Sequence, residues 1–178
     1  CLELDEEVKI YKKILAGSEF KAHIAPHSIK IASMFSIMSR LKESQKCDSL
    51  TKMKIYNGEA IVEKGRVKKI DIKDLREEAR DEGMKGISTR FIMKAIDSAL
   101  SDTEKDMITP ISVREALVKQ VKEQVVSEED RTRYLEMLQK IIHEEYLHIL
   151  EKEITKAFVT AYEEQAESLF NNYLDHAE

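Results

Sequence analysis

"SEEDRTRYLEMLQKIIHEEYLHILEKEITKAFVTAYEEQAESLFNNYLD", Ser127 to Asp175, holds neither a glycine nor a proline. These are the two strongest breakers of a helix, so the stretch decides the fold class. Ser127 is a good N-cap, and Glu128, Glu129 and Asp130 suit the positive end of the helix dipole. Leu135, Leu138, Ile142, Ile149, Phe158, Tyr162, Leu169 and Tyr173 fall roughly along one face. Unbroken, such a helix is about 70 Å long. The "EKE" at Glu151 to Glu153 interrupts the apolar stripe, so a bend or a helix pair fits the pattern equally well. The stripe is not a strict heptad, which favours packing within the chain over a coiled coil.

Upstream, the chain has the same helical character. "DEEVKIYKKIL" predicts a short helix ending near Gly17, and Pro26 is placed to open a second one over "PHSIKIASMFSIMSRL". In that second helix Ile31, Met34, Phe35, Met38 and Leu41 share a face. "KDLREEARDEG" predicts a helix stopped by Gly83, and another helix starts at Ser88 with Phe91, Ile92, Ala95, Ile96 and Leu100 on one side. Thr109 and Pro110 form an N-cap and first-turn pair. One segment differs. Around Asn57-Gly58, a strong short hairpin signal, β-branched residues predict a small β-ribbon near 53–72. The whole reads as mainly α: a helical bundle over 1–105 carrying the hairpin, then a long-helix region over 106–178.

Of the 178 residues, 42% are hydrophobic and 35% charged, a core-forming composition with a heavily charged surface. The net charge of −5 argues against nucleic acid as a partner. No apolar run approaches the ~20 residues that cross a bilayer. Cys1 and Cys47 form neither a disulfide framework nor a zinc spacing, which fits reduced cytoplasmic thiols.

Most apparent motifs have plain explanations. In "HEEYLH" the two histidines, His143 and His148, are five apart, about 140° around a helix, so they do not converge on one metal. No metal site is predicted. Ser28 stands beside His27, but no orienting acid is identifiable, so a nucleophile reading is weak. The chain has no GxxxxGK[ST], GxGxxG, HRD or DFG, and no catalytic residue is assigned.

"DEGMKGISTRF", Asp81 to Phe91, is harder to dismiss. Gly86 lets the chain turn, Ser88 caps a helix, and Arg90 falls in its first turn, where the dipole disfavours a cation by roughly 0.3–1 kcal/mol. A helix start plus an arginine makes an anion site, above all for phosphate. The alternatives are a solvated arginine packed on Phe91, or one paired with Asp81 or Glu82.

Three stretches, "HIAPHSIKIASMFSIMSRL", "DLREEARDEGMKGISTRF" and "KAFVTAYEEQAESLFNNYLDH", resemble the bacterial PrkA family of serine protein kinases. That resemblance implies a parent with an N-terminal AAA+-type ATPase module, ATP and magnesium as cofactors, and a protein substrate. It implies that this chain is the AAA+ lid and the start of the C-terminal region, binding no cofactor alone and having the ATPase domain as its partner. Arg90 then matches the lid arginine called sensor 2, with Gly86 and Ser88 as its supporting turn and cap. The family often has proline where this chain has Arg80 and Thr89, and proline at 89 would preorganise the first turn. The missing kinase motifs keep a second expectation open: a lid or docking segment of a AAA+ protein-remodelling or ATP-dependent protease machine. A homo-oligomer is compatible with either.

Overall fold

The helix around which residues 1–141 pack is short and almost entirely enclosed. It is α2, Ser28–Arg40, and eleven of its thirteen residues are buried. Sequence periodicity pointed to one apolar face, but Ile29, Ile37 and the serines between them are buried as well. Serine makes this possible. Its small side chain lets neighbours approach, and its hydroxyl can be satisfied locally: Ser33 donates to the Ile29 carbonyl at 2.9 Å and Ser39 to the Ser36 carbonyl at 2.7 Å.

In the computed structural model, residues 2–17, 23–63, 66–67, 70–79, 81–101 and 107–175 are described. Around α2 lie α1 (Leu4–Ala16), α3 (Ser49–Tyr56), α5 (Thr89–Ser101), α6 (Pro110–Gln124) and α7 (Glu128–Lys140). The short α4 spans Ile72–Glu78. Phe35 of α2 meets Tyr134 of α7 edge-on, ring centres 5.8 Å apart. Arg133 of α7 donates to the Leu41 carbonyl at 2.9 Å, capping the end of α2. Two two-residue strands, β1 (His23–Ile24) and β4 (Met107–Ile108), pair in parallel and tie the approach to α2 to the approach to α6. The fold is mainly α, as expected. The chain divides into two compact units, Cys1–Ile141 and Ile142–Glu178.

Several local expectations hold. Thr109 accepts from the Ser112 amide at 3.1 Å while Ser112 accepts from the Thr109 amide at 2.9 Å, a complete capping box before α6. Ser127 caps α7 through the Asp130 amide. Three others need correction. Asn57-Gly58 is not a hairpin turn but the end of α3. Gly58 has φ +78°, its amide donates to the Ile55 carbonyl, and the Glu59 amide reaches back to Lys54, each at 3.0 Å. That is a Schellman C-cap, which needs the same left-handed glycine as a tight hairpin. The hairpin exists further on, as β2 (Val62–Glu63) against β3 (Arg66–Val67). Pro26 does not open α2; His27 follows it with φ 66°, and the helix starts at Ser28. Finally, "EKE" does not break the last helix. The irregularity falls earlier, in a π-helical stretch over Ile141–Tyr146, and α8 runs from Leu147 to Asp175 straight through Glu151–Glu153.

Candidate functional site

Arg90 stands on a clamped platform. The loop leading to it passes the C-terminal end of α2, where the Gly83 amide donates to the Arg40 carbonyl at 3.1 Å. Gly86 lies so close that a Cβ there would be 2.8 Å from the Ser39 carbonyl oxygen, and its φ is +141°. The Ile87 amide then donates to the Ser39 hydroxyl at 2.9 Å. Glu82 is the main anchor. Its carboxylate pairs with Lys52 at 2.5 Å, accepts from the Tyr56 hydroxyl at 2.7 Å and accepts from the Lys42 amide at 2.7 Å. The Lys52 side chain is fully enclosed and the Glu82 side chain is only 4% exposed. An ion pair so desolvated holds only because its remaining polar atoms are also satisfied, here with Lys52 donating to the Lys42 carbonyl at 3.1 Å.

This arrangement removes one reading of Arg90. Glu82 is committed to Lys52, and Asp81 faces Lys42 at 3.5 Å. Arg90 is exposed and, among the described residues, has no hydrogen-bond or ion-pair partner. Ser88 caps its helix through the Phe91 amide at 3.3 Å. The three sequence-selected residues, Gly86, Ser88 and Arg90, therefore sit together at one helix start.

A second locked cluster lies beside it. Glu7 of α1 is buried and pairs with Arg40, accepting also from Tyr11 at 2.9 Å and from Ser36 at 3.0 Å. Burial pushes the Tyr11 phenol up to about 12, and burial together with the Glu82 hydrogen bond raises Tyr56. Nothing in the one-dimensional pattern marked Glu7 or Glu82 as buried, because an acid on a helix or in a loop is ordinarily solvated.

The opposite end of α2 differs. There α1 and the β1–α2 turn border an open cavity of about 640 Å³ with an apolar floor that includes Val8, Leu15 and Ile29, and with Lys12, Lys30, His27 and the acid Asp5 among its lining. No side chain caps α2, and His27 holds a left-handed backbone that a non-glycine residue seldom adopts. Ser28 is not a nucleophile beside His27; its hydroxyl is buried and donates to the Ala25 carbonyl at 2.8 Å. Two lysines, a histidine and an uncapped helix start give this cavity an anion-binding character. Sequence reasoning missed it because it took Pro26 as the first helical residue. The cavity is about 18 Å along α2 from the Gly86 contact, too far for one phosphate to meet both. Among the described residues, no group of three or more metal-ligating side chains occurs, and His143 and His148 are exposed.

Residues 50–178 match the PrkA serine protein kinase C-terminal domain, and residues 1–48 match the PrkA AAA domain. The chain belongs to the PrkA family. It is 39% identical over 99% of its length to a Bacillus subtilis protein named ATP-dependent protease PrkA, and 34% identical over its whole length to the Escherichia coli serine/threonine kinase YeaG. It spans 28% of the length of these curated relatives. No solved structure matches it. The α2-start cavity lies within the residues matched by the AAA domain, whereas Gly86, Ser88 and Arg90 lie within those matched by the C-terminal domain.

Proposed function

We propose that this chain closes the nucleotide site of an ATP-dependent PrkA-type serine protein kinase and passes nucleotide state into its C-terminal region. The observation that carries this reading is the cationic cavity at the start of α2, built from residues that match a AAA domain. Lys12 and Lys30 would face ATP phosphates, and the uncapped α2 amides would add a dipole directed at the same charge. Magnesium would travel with the nucleotide, and the N-terminal ATPase domain of the parent would be the partner that holds both.

Arg90 is the second contact in this proposal, a sensor for phosphate held by a neighbouring domain. Its support is an exposed guanidinium, without a partner among the described residues, on a clamped helix start. The clamp means that a pull on Arg90 is felt by α2 through Gly86 and Ser39. In the full-length parent, Lys30→Ala should raise KM for ATP, and Arg90→Ala should lower kcat for ATP turnover. ATP turnover unchanged in both variants would exclude this chain from the nucleotide site.

The relative named as an ATP-dependent protease favours a second reading, in which the parent couples ATP to proteolysis and this chain docks the substrate. Full-length protein that transfers label from γ-labelled ATP to a serine peptide and leaves unfolded protein uncut would exclude it. Cleavage without label transfer would exclude the kinase.

A further inference from the structure

Four serines of α2 are buried, Ser28, Ser33, Ser36 and Ser39, and they do different things. Ser28 donates to the Ala25 and Ile108 carbonyls, and Ser33 donates back into α2 at Ile29. Ser36 serves the Glu7 cluster. Of the four, Ser39 is the one whose hydroxyl reaches the loop before Arg90. It donates to the Ser36 carbonyl and accepts from the Ile87 amide. A hydroxyl has one proton, so giving it to the α2 backbone fixes where its lone pairs point. The Ile87 amide is therefore met in a direction set by α2.

Ile87 immediately precedes the Ser88 cap, and its side chain is buried. In the turn that follows, the amides of Thr89 and Arg90 have no hydrogen-bond partner among the described residues. Such amides are the ones a helix start offers to an anion. The direction of the first turn of α5 decides where a phosphate could meet both amides and the Arg90 guanidinium at once. The Gly83 hydrogen bond acts earlier in the loop, and the Gly86 contact is non-directional packing. The body of α5 is held elsewhere, by Gln120 of α6 donating to the Phe91 carbonyl at 2.8 Å. The Ser39–Ile87 bond is thus the last directional tie before the cap, and its loss would not undock α5.

We propose that Ser39 is a positioning residue: through the Ile87 amide it aims the first turn of α5, and with it Arg90, at the phosphate of ATP. The role rests on Arg90 being a phosphate sensor. It is one of alignment, since a group displaced by about 1 Å from its productive place loses much of its effect on rate.

ATP turnover by the full-length parent tests this. Ser39→Ala should lower kcat about tenfold and leave KM for ATP unchanged. The double variant Ser39→Ala/Arg90→Ala should be no slower than Arg90→Ala alone, because both changes act through one guanidinium. Ser33→Ala removes a buried hydroxyl of the same helix that does not reach the loop, and it should keep the kcat of the unaltered protein. Three results would overturn the positioning role while sparing the sensor: Arg90→Ala lowers kcat and Ser39→Ala does not, the two losses multiply in the double variant, or Ser33→Ala loses as much as Ser39→Ala. Turnover unchanged in Arg90→Ala would instead remove the sensor, and the positioning role with it.

Discussion

The two ends of α2 are built to opposite rules. At its C-terminal end, polar groups are buried and matched: Glu7 with Arg40, Glu82 with Lys52, Ser39 with the Ile87 amide. At its N-terminal end, no side chain caps the helix, His27 holds a strained backbone, and a cavity opens beside two lysines. Fixed partners make the first end a joint within the protein. The second end keeps its electrostatic capacity for something that arrives later. Strain and unspent charge are where a ligand's binding energy can act.

That contrast can be broken most forcefully at Glu82. Glu82→Ala strands Lys52 in an enclosed site, and removing one partner of a buried pair costs about 3–5 kcal/mol. Guanidinium unfolding of the 178-residue chain should show it as a lower midpoint, and a loss under 1 kcal/mol would mean that the C-terminal end is not locked. Gly86→Ala comes next. The new Cβ meets the Ser39 backbone while φ stays positive, so a cost of about 2–4 kcal/mol is expected from strain and overpacking together. A crystal structure of that variant with Ser39 unmoved would contradict the account.

Alkali sharpens the same comparison. Tyr11 and Tyr56 both hold their protons longer in the folded chain than free phenols do, Tyr11 to about 12. Their contribution is whole below pH ~10 and is lost as the pH climbs towards the folded values. Stability should fall by roughly 1–2 kcal/mol between pH 9 and 11 as these buried phenols lose their protons in the unfolded chain first. Tyr11→Phe should flatten that slope. The smallest effect is expected at the open end. His27→Gly relieves the left-handed strain and should stabilise the chain by about 0.5–1 kcal/mol, while weakening ATP binding by the full-length parent. A destabilised variant would show that His27 serves structure alone.

Helix existence was legible in the sequence because capping is local. Ser88, Thr109 and Ser127 each start a helix where their hydroxyls bond an amide three residues on. Asn57-Gly58 misled because a left-handed glycine ends a helix as readily as it turns a hairpin. The π stretch at Ile141–Tyr146 carries no glycine or proline to announce it. Of the candidate site, the Arg90 helix start could be read, since Gly86, Ser88 and Arg90 are neighbours in the chain. The cavity at α2 could not, because its walls come from α1 and a turn whose geometry depends on the β1–β4 pairing across more than eighty residues.

The enclosure of α2 also bears on how the chain is made. The family's two domain descriptions meet between residues 48 and 50, yet the compact unit runs unbroken from Cys1 to Ile141. α2 belongs to the first description and is walled in by α5, α6 and α7, which belong to the second. A newly synthesised chain therefore carries an apolar rod covered only by α1 and α3 until α7 has left the ribosome, several seconds later at ~5–20 residues per second. A polypeptide cut at the boundary would keep α1 but leave the faces of α2 that meet α5, α6 and α7 exposed permanently. The seam between the two domains, by this measure, is a line in the sequence that the folded molecule does not have.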